Sequence, residues 1–361
     1  WPNNPMGHGA EDMKYRFQWN FPIFFSPHDA NKLYTTSNHF HLTKNEGQTW
    51  EVISPDLTRN EAEKLGPSGG PITKDNTAVE YYATIFAACE SPYEEGLLWA
   101  ASDDGMIHIS KDSGENWDDV SPQNAPKHIM WNSVDPDPFV KGGLYVAGTL
   151  YKSGDFKPYL YKTKDYGKTW TKIVDGIPEN FFTRVLRADP KRKELLYAGT
   201  ESGIFISFDD GISWNSFQIN LPLVPITDMT IKDNNLIAAT QGRSIWIIDD
   251  LTPLYQLNKL NHNTNFHLFK PLDSYRMGYS SWGGASSTSG KNHHNGVEVF
   301  FNIDKKLIDE NSDISLEFLD ENKNSIKKYS LNNKKSVLKL DGEKNSFVWN
   351  MRYDDAEGFD G

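Results

Sequence analysis

Asp103 and Asp104 are the residues whose types and spacing best suit chemistry. Glycoside hydrolysis commonly uses two carboxyl groups about 5–9.5 Å apart, one protonating the leaving oxygen while the other attacks or activates water. Asp75, Glu80 and Glu201 supply further acids. Asp103-Asp104-Gly105 is equally a turn sequence, in which a short acidic side chain bonds its own backbone. Both readings stand on the sequence. A wider set suits recognition: Asn38, His39, Lys74, Asp75, Glu80, Tyr82, Trp131, Tyr151, Lys152, Arg184, Glu201 and Arg243. Flat rings to stack on and charges to orient a ligand are what a carbohydrate or peptide site needs.

Other chemistries find little support. No stretch has the spacing of a zinc site, a nucleophile elbow or a phosphate loop, so neither metal nor cofactor is expected. Gly66 to Gly70 is glycine-rich, but no helix pattern follows it to receive a phosphate. Cys89 is the single cysteine and lies in the apolar run Ile85-Phe86-Ala87-Ala88-Cys89, where a small buried residue is expected. His293-His294 falls in a Gly/Ser-rich stretch and reads as solvent-exposed. A net charge of −12 without a basic stripe argues against nucleic acid. No apolar run approaches the 18 or so residues of a membrane span.

The elements that would position these residues are written as a repeat. Thr163-Lys164-Asp165-Tyr166-Gly167-Lys168-Thr169-Trp170 recurs, with small changes, at Thr43 to Trp50, Ser110 to Trp117 and Ser207 to Trp214. Each octet reads as a tight turn. Asn45, Asp112, Asp165 and Asp209 bond the turn backbone. Gly47, Gly114, Gly167 and Gly211 take a positive φ. Trp50, Trp117, Trp170 and Trp214 open the return strand, each ring packing on its own hairpin. None of these residues is expected to be catalytic, nor do the octets offer calcium enough oxygen ligands.

Three apolar strands precede each octet, and a fifth copy without an octet runs from Thr227 to Ile248. The Trp residues are 67, 53 and 44 residues apart. The shortest spacing matches a four-stranded propeller blade of about 40–45 residues, so the excess is loop. Five blades are expected over residues 1–257, a connecting Gly/Ser-rich segment over 258–296, and a β-sandwich of immunoglobulin type over 297–361. The start in mid-pattern reads as part of a larger propeller, completed by upstream blades or other chains. Each octet joins a third strand to a fourth. The second-to-third turns and the blade crossovers therefore share the opposite face, and the recognition residues fall there.

The octets resemble Asp-boxes, the BNR repeats of β-propellers such as sialidases, sortilin-type receptors and xyloglucan-cleaving tandem propellers. Lys14 to Phe17, Ser54 to Arg59, Gly66 to Asp75, Gly242 to Ser244 and Ile248 to Leu254 extend the likeness. They are similar to a family of large secreted bacterial proteins described as glycosyl hydrolases or as sortilin-like. The resemblance implies an Asp-box β-propeller, a secreted or cell-envelope location, and a glycan or protein ligand on the loop face. It implies, as the alternative, a polysaccharide hydrolase. One propeller fold hosts both kinds of protein. A sialidase is disfavoured, because that family clamps its substrate with three Arg and the Arg-Ile-Pro signature is absent.

Overall fold

The computed structural model describes residues 6–70, 72–77, 79–257, 265–276, 294–309, 312–333, 337–340, 342 and 344–354. Two compact units divide the chain, Trp1–Ile247 and Ile248–Gly361.

The first unit is a series of β-propeller blades. Blade 1 is the antiparallel sheet Ile23–Phe25, Leu33–Thr36, Phe40–Thr43 and Glu51–Val52. Blade 2 is Ile85–Glu90, Leu98–Ser102, Ile107–Ser110 and Asp118–Asp119. Blade 3 is Met130–Pro136, Leu144–Leu150, Asp155–Thr163 and Thr171–Lys172. Blade 4 is Thr183–Ala188, Leu196–Thr200, Gly203–Ser207 and Asn215–Ser216. Blade 5 has three strands, Ile226–Lys232, Asn235–Thr240 and Ile245–Ile248. Strands follow one another in chain order within every sheet, as in a propeller.

Alternation along the strands explains why they read as continuous apolar runs. In blade 2, Leu98 and Ala100 join Tyr34, Phe40 and Ile85 in the core shared with blade 1. Trp99 and Ala101 point the other way, into a core with Trp131, Val146 and Tyr161 of blade 3. In blade 3, Tyr145 and Ala147 then meet Leu186, Leu196 and Phe205 of blade 4. Successive side chains of a strand face opposite sides of its sheet, so a blade covered on both faces needs apolar residues at every position.

The octets form the expected turns. In the cleanest copy the Thr169 amide donates to Asp165 Oδ1 at 2.9 Å, and the Thr169 hydroxyl to Oδ2 at 2.6 Å. Asn45, Asp112 and Asp209 each accept the corresponding amide at 2.9 Å. The glycine has positive φ, and so does the residue before it: Glu46, Ser113, Tyr166 and Asp210. The Trp rings depart from expectation. Trp117, Trp170 and Trp214 also reach back to the preceding blade, while Trp117 bonds its own turn as well, at the Gly114 carbonyl at 3.2 Å. Trp117 Nε1 donates to the Ile53 carbonyl at 2.9 Å, Trp170 to Val120 at 2.6 Å and Trp214 to Ile173 at 2.9 Å. The acceptor is always three residues beyond the previous octet's Trp, because the two-residue fourth strand ends there. Trp50 has no such blade before it among the described residues and is 42% exposed.

The segment from Leu150 to Pro158 is a single turn at Tyr151–Ser153 followed by the early start of the strand Asp155–Thr163. One further expectation changes. In the second unit, Phe266–Leu268 lies in the stretch read as connecting segment, yet it pairs with Val297–Ile303. That strand pairs in turn with Lys344–Trp349. Ser315–Leu319 and Ser325–Ser330 form a second sheet, and Phe301, Ile303 and Leu338 centre the core between them. Three and two strands among the described residues are fewer than the seven of an immunoglobulin-type sandwich. Residues 277–293, which include His293 and most of the Gly/Ser-rich stretch, lie outside the described residues.

Candidate ligand-binding site

The face opposite the octets carries two adjoining cavities. The first, of about 320 Å³, is lined by Tyr82 and Lys64 from the long crossover between blades 1 and 2, Asp103, His128, and Thr149 with Lys152 from blade 3. The second, of about 580 Å³, shares Met130, Tyr151 and Lys152 with the first and extends over Asn132, Arg184, Arg187 and Trp19. Their volumes fall in or near the range of about 300–1,000 Å³ usual for small-ligand sites.

Asp103 and Asp104 part company here. Asp103 lines the first cavity and is 7% exposed. Its Oδ1 accepts the Thr84 amide at 2.8 Å. Burial pushes its carboxyl up to about 7, against the pull of Thr84 and Lys152. Asp104 turns away. Its Oδ2 accepts the Arg59 amide at 2.8 Å, Ser102 donates to its Oδ1, and its carbonyl takes Arg59 Nε at 2.8 Å. It fastens the crossover loop to the turn between the second and third strands of blade 2.

Beside Asp103 a charged cluster is already matched. Glu61 accepts Lys127 at 2.8 Å and Lys64 at 2.9 Å, and these bonds hold its carboxyl down to about 2. Lys64 also lies 2.8 Å from His128 Nε2. Burial and the Lys64 charge keep the His128 imidazole below its ordinary value. Across the second cavity Arg184 pairs with Glu201 at 2.7 Å and lies over the rings of Phe182 and Tyr151, which stack at 4.9 Å. Arg187 bridges blades, donating to Ser133 Oγ at 2.6 Å, the Met229 carbonyl at 2.8 Å and Asp228 at 2.7 Å. Lys152 makes no ion pair or hydrogen bond with any described residue, although it lines both cavities.

Tyr82, Asp103, Tyr151, Lys152 and Arg184 are therefore brought together, and the other expected residues are not. Trp131 is fully buried between blades 2 and 3, since it lies inside the strand Met130–Pro136 and not in the crossover. Asn38 is a clasp: its Oδ1 accepts the Arg16 amide at 2.9 Å and its Nδ2 donates to Asp56 at 2.9 Å. His39 packs edge-on against Tyr15. Lys74 and Asp75 are exposed on the far part of the crossover, and Asp75 N bonds Ser68. Arg243 is exposed in the blade 5 turn. Glu80 works indirectly, accepting Trp19 Nε1 at 2.9 Å and the Thr77 hydroxyl at 2.6 Å.

Two site residues had no sequence signal. Trp19, 69% exposed at the second cavity, belongs to no repeat. Thr149 ends an apolar strand, is 2% exposed, and its hydroxyl has no partner among the described residues.

No family model and no curated protein matches the sequence. The likeness is to solved structures. A GH74 xyloglucanase from Xanthomonas campestris is 15% identical, over 63% of this chain and 36% of that one, with a TM-score of 0.49. A GH74 enzyme from Niastella koreensis is 15% identical over 66% and 34%, at 0.44. YCF48 bound to D1 peptide is 15% identical over 65% and 67%, at 0.39. The likeness extends to fold alone. The chain spans about a third of the length of the two GH74 structures. Among the described residues no His, Cys, Asp and Glu side chains gather as a metal site, and no helix is long and apolar enough to cross a membrane.

Proposed function

We propose that the propeller is a binding module, engaging a glycan at the two cavities without cleaving it. The observation that carries this reading is the solitary carboxyl in the first cavity. A glycosidase needs a second acid facing the first at about 5–9.5 Å. Asp104 is committed to Arg59 and Ser102, Glu201 to Arg184, and Asp228 to Arg187. What remains is a polar mouth with aromatic faces at Tyr151 and Trp19, suited to holding sugar rings.

The octets support placing the chain among Asp-box proteins, and with them a secreted or cell-envelope location. Further blades, from this protein or another chain, would cover the apolar residues left exposed on the end blades: Ile23 and Phe25 of blade 1, Ile245 and Ile247 of blade 5.

Hydrolysis is the competing reading. Its support is the raised carboxyl of Asp103, which fits a general acid. A panel of polysaccharides scored for calorimetric binding and for new reducing ends separates the two. Binding without release is expected, weakened at least tenfold in Tyr151→Ala. Release of sugar that disappears in Asp103→Asn would overturn the proposal.

A further inference from the structure

The first cavity offers a ligand a positive charge that no carboxylate among the described residues matches. Of the Lys and Arg residues lining the two cavities, Lys64, Arg184 and Arg187 each have a carboxylate partner. Lys152 has none among the described residues, and Asp103 beside it is beyond ion-pair distance. The second observation is independent. The Asp103 carboxyl lines the same cavity and is hydrogen-bonded by Thr84 alone among the described residues.

We propose that this cavity captures the carboxylate of a uronic acid residue in an acidic glycan, with Lys152 as counter-ion and Asp103 as hydrogen-bond donor. The proposal rests on the binding reading above and names its ligand class. The cavity's 320 Å³ is at the small end of ligand sites, room for one sugar residue rather than several. The glycan continues into the neighbouring 580 Å³ cavity, where the Tyr151 and Trp19 rings offer faces for the next residues. A neutral sugar would leave Lys152 unmatched.

The donor role of Asp103 gives the site a pH signature. The charged and titratable groups around it are Asp104 on its own turn, Tyr82 and Lys64 from the crossover, His128 from the next crossover, and Lys152 from blade 3. Once ionised, Asp103 has no proton to donate, repels a carboxylate and competes for Lys152. With its carboxyl titrating near 7, the protonated fraction falls about tenfold from pH 6 to pH 8, and affinity falls with it.

The test is calorimetry on the full chain with trigalacturonic acid and neutral galactotriose as probes. Trigalacturonic acid is expected to bind at pH 6, about tenfold more weakly at pH 8, and more tightly than galactotriose at both. Lys152→Met should abolish the preference for the acid. Thr149→Val, which changes a hydroxyl with almost no accessible surface, should leave affinity for the acid within about twofold. Asp103→Asn, which keeps an acceptor for Thr84 and a donor for the ligand, should bind at pH 6 and flatten the pH profile. Equal binding of the two probes overturns the uronate proposal and leaves the binding module standing. So does a wild-type pH profile as flat as that of Asp103→Asn. Binding of neither sugar, with binding of an acidic peptide, overturns both.

Discussion

Replacing Asp103 by Asn should stabilise the fold, and by an amount that depends on pH. In the folded chain its carboxyl titrates near 7, whereas 3.8 is the ordinary value expected when unfolded. Between those values the folded chain holds a proton that the unfolded chain has released. Stability therefore falls as pH rises through that window and levels off above it. Each unit of pH is worth about 1.4 kcal/mol in the middle of the window and about half that at pH 7, so wild type loses about 2 kcal/mol between pH 5 and pH 7 on account of this one group. Asn has nothing to titrate and still accepts the Thr84 amide. Groups remote from Asp103 titrate alike in both proteins, so the difference between them reports Asp103 and its coupling to Asp104 and Lys152. For a unit of this size, about 2–4 °C of melting temperature corresponds to 1 kcal/mol, giving a gap that widens by about 4–8 °C from pH 5 to pH 7. Thermal unfolding followed by tryptophan fluorescence across pH 5 to 8 measures it. A gap that stays constant would show that Asp103 is ionised in the folded chain at pH 5, and the acid-donor argument would fail.

The remaining predictions concern the blades and the site. Trp170→Phe removes the bond to the Val120 carbonyl and should lower stability by about 1–2 kcal/mol in urea unfolding, while Trp50→Phe, with no blade to reach, should change it little. Gly167→Ala should cost about 2–4 kcal/mol, since a Cβ there would meet Val120 at 2.6 Å with φ at +78°. Gly154→Ala, at φ +81° with open space around it, should cost about 1 kcal/mol by the same measurement. Trp19→Ala should reduce affinity for a glycan ligand about fivefold or more in calorimetry and leave the melting temperature within about 1 °C, because the ring is exposed and bonded only to Glu80.

The blades were legible because a propeller writes the same physical solution repeatedly. Four octets in register mark the turns, and apolar strands between them need cover on both faces. The fifth blade was legible without an octet, from strand patterning alone. The site was legible only in part. Tyr82, Asp103, Tyr151, Lys152 and Arg184 fall on turns or crossovers that topology assigns to one face. Topology does not say which of two adjacent acids turns inward. Asp103 lines the cavity and Asp104 the loop clasp because Arg59, 45 residues earlier, offers both an amide and a guanidinium to the second. Trp131 was misread for a related reason: one residue of strand register separates a ring in the core from a ring at the mouth. Trp19 and Thr149 carry no local signal. One owes its place to Glu80, the other to being the last buried position of a strand.

The backward reach of the octet tryptophans also gives the propeller a direction in time. Each indole seeks a carbonyl made earlier in the chain, at Ile53, Val120 or Ile173. During synthesis from the N-terminus, blades 2, 3 and 4 each emerge with their anchoring point already present behind them. A newly made blade can be fastened at once and need not wait for sequence still on the ribosome. A circular permutant opened between blades 2 and 3 would contain the same finished contacts, yet Trp170 would wait for Val120 until the last blade was made. Its folded state would be nearly unchanged, and its passage to that state would expose a growing apolar edge for most of the journey.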